Sequence, residues 1–331
     1  FSLNIYGTRR EDIGFFHIAN LFVPSTIDAC FTADGGGALP GIKNDENKWN
    51  TAGHRDRVVR VTGEELALFA ALYDQPGTPA DEARLPALHG QPLVEVLRKF
   101  AKVPKRLGDL EGEYFTTDML NETLRQQDGT IRRETRFPDA PEEWVLSGPH
   151  FFVGNPFNKT PRSVCTGNSH YDVLDLAELP EEYLPRTNYN PACSREEYAR
   201  RTPSVPWDGR KVTEFYRVVF RFMLSQAGER TLVSSIIPPM PGHIHTCLSV
   251  LFPSFSETVS FASFTFSLPF DFFVKTTGRG AIPGLIKSIP YLQADNFLVS
   301  RTLILNCLTK HYAPLWSECW DESFRNDSWT S

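Results

Sequence analysis

Gly148-Pro-His-Phe-Phe-Val-Gly-Asn-Pro-Phe-Asn-Lys-Thr-Pro-Arg162, followed further on by Tyr183-Leu-Pro-Arg-Thr-Asn-Tyr189, is the stretch that governs how this chain is read. Its prolines and glycines cut it into pieces too short for long helices, so short elements joined by extended loops are expected. The side chains on those loops are of a kind that can read a nucleic acid. Lys159, Arg162 and Arg186 can neutralise phosphates or fork onto guanine, and the amides of Asn155, Asn158, Asn168 and Asn188 suit adenine. His170, Tyr171, Tyr183 and Tyr189 can lie against a groove wall. No nucleophile, metal cluster or phosphate-cradling glycine loop accompanies them.

Composition places the chain among ordinary globular proteins: 331 residues, 41% hydrophobic and 22% charged. That length is enough for one extended domain or two smaller ones. The 25 phenylalanines imply a core filled by aromatics, and the 25 prolines argue against an all-helical bundle. Six cysteines lack any Cys-x-x-Cys or finger-like spacing, so neither a zinc site nor a compact disulfide framework is indicated, and a cytoplasmic location is expected. No apolar run approaches the roughly 18 residues of a membrane span. Phe1 opens without a signal-peptide pattern, and the missing initiator Met suggests a fragment.

The net charge of −6 argues at first against a polyanionic partner. Its distribution is uneven. Residues 1–149 carry 17 basic and 23 acidic side chains, whereas residues 150–331 carry 17 of each. The second part is therefore the better candidate for nucleic acid.

Along the chain, Asp34-Gly-Gly-Gly-Ala-Leu-Pro-Gly41 reads as a loop between strands. Thr62 precedes Glu64 and Glu65 and the run Leu66, Leu68, Phe69, Leu72, as an N-cap with an acidic first turn would, and Gln75-Pro-Gly-Thr-Pro79 stops that helix. Residues 91–106 read as an amphipathic helix with a basic outer end. Residues 115–141 are polar and read as a linking region. They place a boundary near residue 145, between an acidic N-terminal α/β subdomain (1–145) and a second domain (146–331). Val212 to Leu224 has helical spacing, with Arg217 and Arg221 on one face. Thr231 to Ile237 reads as a buried strand, residues 259–274 as strand or helix, and residues 297–320 as a long C-terminal helix kinked at Pro314.

Four motifs invite catalytic readings. Asn155-Pro156-Phe157 is close to the Asn-Pro-Pro-aromatic loop of adenine-specific DNA methyltransferases but lacks the second proline. A turn that positions Phe157 and Lys159 is the structural alternative. His243-Ile-His245 has two imidazoles but no supporting acid or thiol. Cys165 and His170 could form a dyad only with an orienting geometry. Asp172, Asp175 and Glu178 resemble a nuclease acid set without its lysine, and solvated acids are the simpler reading.

Several blocks together resemble the C-terminal, target-recognition half of type II-G restriction-modification adenine methyltransferases and related phage-defence methylases. They are Gly148 to Arg162, Tyr171-Asp-Val-Leu-Asp175, Tyr183 to Tyr189, Trp207, Glu229-Arg-Thr-Leu232, Ile237-Pro-Pro239, Phe270-Asp-Phe-Phe-Val-Lys-Thr-Thr-Gly278 and Leu303 to Trp316. Earlier blocks at Ile18-Ala-Asn-Leu21, Thr26 to Phe31 and Gly53-His-Arg-Asp-Arg57 fit the same pattern. Phe270-Asp-Phe-Phe with Leu285-Ile-Lys-Ser-Ile-Pro290 is also similar to the close of a type I specificity-subunit recognition domain. The resemblance implies an α+β fold, a mixed or curved β-sheet with packed helices and long loops. It implies double-stranded DNA as partner and a methyltransferase catalytic domain in cis, with S-adenosylmethionine bound by that parent enzyme and no cofactor or metal in this chain. The expected DNA-contacting residues are Asn158, Lys159, Arg162, Asn168, His170, Tyr171, Arg186, Asn188, Tyr189, Arg217, Arg221, Lys275 and Arg279. No catalytic residue is expected. The rivals are an active methyltransferase or nuclease fragment, and a protein-interaction scaffold in a phage-defence complex.

Overall fold

The computed structural model of the protein describes residues 13–326 and 328. The fold is α+β, with helices packed on several small sheets. The chain forms two compact units: residues up to Pro104 with Lys275–Gly278, and Lys105–Val274 with Arg279 onward. No helix among the described residues is long and apolar enough to cross a membrane.

In the first unit, β1 (Gly14–His17) precedes helix α1 (Ser25–Thr32) and pairs antiparallel with β2 (Val59–Thr62). Val59 and Val61 point inward while Arg60 faces out, the alternation of a half-buried strand. Helix α2 (Gly63–Tyr73) starts where the sequence signals it. The Thr62 hydroxyl accepts from Glu64 N at 3.3 Å, and Glu65 Oε2 accepts from Thr62 N at 3.0 Å, a reciprocal cap. Leu66, Phe69 and Leu72 are buried. Helix α3 (Leu93–Ala101) buries Val94, Leu97 and Phe100, and its Arg98 meets Glu65 at 2.7 Å. The block Gly53 to Arg57 has a structural role. A Cβ at Gly53 would lie 2.3 Å from the Ala29 backbone of α1, and the fully buried Arg57 donates to Ala52 O and Asn20 O at 2.9 and 3.0 Å.

The second unit holds strands β3 (Phe115–Thr117), β4 (Ile131–Arg136), β5 (Val145–Leu146), β6 (Lys159–Pro161), β7 (Tyr171–Val173) and β8 (Thr187–Pro191). Strands β9 (Arg217–Arg221), β10 (Ser234–Ile237), β11 (Gly242–His243) and β12 (Cys247–Leu251) follow. Its largest sheet is antiparallel, in the order β10-β9-β12-β3. Pairs β4-β8 and β6-β7 are antiparallel and β5-β11 is parallel. Helices α4 (Glu122–Gln127) and α5 (Arg195–Arg201) flank the small sheets. The remaining helices are α6 (Phe255–Thr265), α7 (Leu268–Thr276), α8 (Asn296–Asn306) and α9 (Ala313–Cys319). Aromatics fill the core as composition implied: Phe261 meets Phe220 at 6.1 Å and Phe252 at 5.4 Å.

Four sequence expectations change, and the open reading of residues 259–274 resolves. Residues 217–221 are a strand, because Val218, Val219 and Phe220 are buried in the middle of the sheet, where an apolar run carries no period to separate strand from helix. Residues 115–141 are structured: Asn121 caps α4, and β4 is so charged that it conceals its strand character. Residues 259–274 lie in two helices, α6 and α7. The C-terminal stretch is also two helices, with Pro314 in the first turn of α9, where its missing N–H costs nothing. The boundary expected near residue 145 falls inside the second unit. There Trp144 is fully buried, 6.0 Å from Phe157 in a stacked pair, and β5 is core.

Candidate nucleic-acid interface

The Asn155-Pro156-Phe157 turn is built from local bonds. Asn155 Oδ1 accepts from Phe157 N at 2.9 Å, which closes an Asx turn and drives Phe157 into the core between Trp144 and the edges of Tyr183 and Tyr312. An aromatic held there is unavailable to a flipped base. The turn instead launches β6, and the β6-β7 hairpin projects the loop of residues 162–170 beside β8.

Between that loop and the β4-β8 pair lies a cleft of 410 Å³. Its floor is a closed hydrogen-bond network. Asn188 Nδ2 donates to the Tyr171 hydroxyl at 2.9 Å and to the Cys165 thiol at 3.4 Å, while its Oδ1 accepts from Thr135 at 2.8 Å. The Tyr171 hydroxyl meets Ser147 Oγ at 3.0 Å, and Ser147 meets His150 Nδ1 at 3.1 Å. Burial pushes the Tyr171 hydroxyl up to about 12 and lowers His150, so both stay neutral near pH 7. The walls are formed by Tyr189, Arg133, Gly148, Pro149 and Arg221, with the half-buried Glu122 and the exposed Asn168 and Thr246 at the rim.

The chain matches no protein-family model and no curated protein.

The cleft brings together five of the thirteen residues expected from sequence: Asn168, Tyr171, Asn188, Tyr189 and Arg221. Only some keep free polar capacity. Asn168 is exposed, and its amide has no partner among the described residues. Lys159, half-buried at the start of β6, forms no ion pair among them. Arg162 is exposed but held by Asp172 at 2.8 Å. His170 turns Nδ1 to Thr166 N and Oγ1 at 3.3 and 3.2 Å, and the Cys165 thiol points to Gly167 O, so no dyad forms. Arg186 lies 4.2 Å over the Phe137 ring.

Other expected contacts belong to the interior. Arg217 is fully buried, donating to Pro238 O at 3.4 Å, to Pro241 O and to Met119 Sδ, with no carboxylate beside it. Burial lowers it to about 9. It cannot reach a phosphate. Asn188 has both amide ends engaged, and Asn158 donates to Pro149 O at 3.3 Å. Arg221 gives Nε to Gly148 O at 2.8 Å and Nη2 to Phe151 O at 2.6 Å, which leaves only part of its fork for a ligand. Lys275 belongs to the first unit and Arg279 to the second, and neither lines the cleft.

The remaining motifs also resolve. His243 is buried in β11, with Nδ1 facing Ile244 O at 3.1 Å and Nε2 facing Ser249 Oγ at 2.8 Å; no cluster of three metal-ligating residues occurs among the described residues. Asp175 caps a short turn by accepting from Ala177 N. Arg133 and Glu122 were missed by sequence reading because both sit in the polar stretch taken as a linker. The signal that could have found Glu122 is the Asn121 cap ahead of it; for Arg133 the run Arg132-Arg133-Glu134-Thr135-Arg136 carries no alternation to read.

Proposed function

We propose that the second unit is the sequence-reading module of a DNA-modifying enzyme: it docks double-stranded DNA and directs adenine methylation, with or without cleavage, by a catalytic half that binds S-adenosylmethionine. The observation that supports this best is the cleft lined by the unpartnered Asn168 amide and by Arg133, which keeps part of its fork free, with Lys159, free of ion pairs among the described residues, on the strand that leads into the cleft's loop. Base readers need that arrangement: fixed supports beneath, unsatisfied amides and cations at the rim. The catalytic partner is supported by exposed aromatic pairs on the first unit, where Phe16 and Phe31 meet edge-on at 5.9 Å and Phe22 stacks on Trp49 at 4.6 Å.

Fluorescence anisotropy of the whole chain with labelled duplexes of mixed sequence tests the reading. Binding in the micromolar range or weaker at low salt, falling steeply as salt rises, is expected, together with enrichment of one short motif from a randomised duplex pool. Absence of duplex binding at the lowest salt tested, or enrichment of no motif, would count against it.

A second reading, a protein-interaction scaffold, is favoured by α8, whose Phe297, Ile304 and Leu305 are all exposed. It predicts that substituting these three with serine abolishes capture of a partner protein and leaves duplex affinity unchanged.

A further inference from the structure

The cleft is far too narrow for a duplex, yet 410 Å³ falls within the range of roughly 300–1,000 Å³ typical of small-ligand sites. Its lining is amphoteric. Arg133 has five N–H groups, of which the protein uses one on Cys165 O at 3.2 Å and another beside the Tyr189 hydroxyl. Arg221 uses two of its five. Against these surplus donors the rim presents one carboxylate, Glu122, which lies close enough to Tyr189 to raise its hydroxyl, although burial is the larger cause. The Asn168 amide adds a donor and an acceptor, and Tyr189 supplies an aromatic wall.

Each simple ligand fits only half of this set. A bare phosphate would satisfy the guanidiniums but face the Glu122 carboxylate. A neutral base would satisfy Glu122 and Asn168 but leave two cations uncompensated. A nucleoside monophosphate fits both: phosphate on the guanidiniums, the base's amino or imino N–H groups on Glu122, and the base against Tyr189. We propose that this cleft binds a single unpaired nucleotide, joining its phosphate to Arg133 and Arg221 and its base to Glu122 and Tyr189. The nucleotide could arrive free or be extruded from a duplex, and only the second source rests on the DNA-reading proposal above.

Calorimetric titration of the whole chain with each of the four deoxynucleoside 5′-monophosphates, with the matching nucleosides and with inorganic phosphate separates these chemistries. At least one monophosphate should bind about tenfold more tightly than its nucleoside or phosphate, and Arg133→Gln and Glu122→Gln should each weaken it by about tenfold at unchanged melting temperature. Phosphate binding as tightly as every nucleotide would make this a plain anion site, and binding of none would leave it a solvent crevice; either result overturns the inference.

Duplexes carrying 2-aminopurine at successive positions then test the source. A rise in fluorescence on adding the chain, lost in Arg133→Gln, marks extrusion, and free-nucleotide binding without that rise assigns the cleft to mononucleotides. Duplex affinity is measured separately by anisotropy. Duplex bound with no nucleotide in the cleft sinks only this inference, whereas nucleotide bound without duplex affinity sinks only the DNA-reading module.

Discussion

Arg217 and Asn188 show how far residue type alone can mislead. Both have the donors that fork onto DNA, and both have those donors turned inward, Arg217 onto proline carbonyls and Asn188 onto Tyr171 and Cys165, while the Asn188 Oδ1 accepts from Thr135. Sequence gives the donor inventory of a side chain but not the acceptors that folding places around it: the Asn168 amide has no partner and Lys159 no ion pair among the described residues, while these two are held by interior acceptors. Arg217→Ala should therefore lower stability by about 3 kcal/mol, through a cavity and two unpaired carbonyls, and leave the duplex affinity of the folded fraction unchanged. Urea denaturation beside anisotropy checks it; lost binding at full stability would return Arg217 to the interface. His243 supplies a pH prediction. Burial, with Arg217 nearby, lowers it from 6.5 to about 3, so between those values the unfolded chain binds a proton that the folded chain refuses. Stability contributed by the neutral imidazole is complete above 6.5 and falls with pH, by about 1.4 kcal/mol per unit, down to about 3. His243→Gln should flatten that acid limb of a stability-against-pH curve, and an unchanged slope would place the titrating group elsewhere.

Elements with local signals were legible and those decided by the sheet were not. Helix α2 announces itself through Thr62 and Glu65, and Thr62→Ala should cost about 1 kcal/mol in thermal or chemical denaturation by removing the cap. Strand β9 gave the opposite experience: arginines four apart suggested a helix face, while the valines between them answered to neighbours more than ten residues away. The Phe270-Asp-Phe-Phe block, part of the family resemblance, turns out to carry a clamp. Asp271 on α7 is buried and accepts from Thr231 N and Leu232 N at 2.7 and 2.6 Å, fixing the approach to β10, with Arg230 at 3.5 Å beside it. Charge-assisted bonds of this kind are worth roughly 1.5–3 kcal/mol each, so Asp271→Ala should destabilise the second unit by about 3 kcal/mol or more. Amide exchange should show the loss at Thr231 and Leu232 first; protection there that survives the substitution would deny the clamp its role.

At the scale of the whole molecule, the uneven charge read from sequence becomes a matter of which cations stay unpaired. Much of the second unit's basic charge is tied up: Arg136 with Glu143 at 2.7 Å, Arg201 with Glu197 at 2.5 Å and Arg162 with Asp172. Lys159 is among the few left open, so Lys159→Ala should reduce the slope of log affinity against log salt by roughly 0.9, the release of one phosphate's counterions, without changing which motif is enriched. An unaltered slope would take Lys159 off the DNA. The first unit has a different surplus. Phe16 is 63% exposed, Phe31 51% and Trp49 45%, and with Phe22 these rings leave on the order of 400 Å² of apolar surface bare, within the size range of the largest patch on a typical monomer, which is often functional. Ile27 lies four residues before Phe31 on α1 and extends the same face. These side chains stabilise little where they stand, because water still covers much of them, so their replacement should be nearly free of folding cost. Phe16→Ser combined with Phe31→Ser should thus leave the melting temperature within a few degrees while reducing concentration-dependent self-association in sedimentation velocity. A large fall in melting temperature would instead make the pair part of the first unit's core, and the case for a docked catalytic domain on that face would lapse.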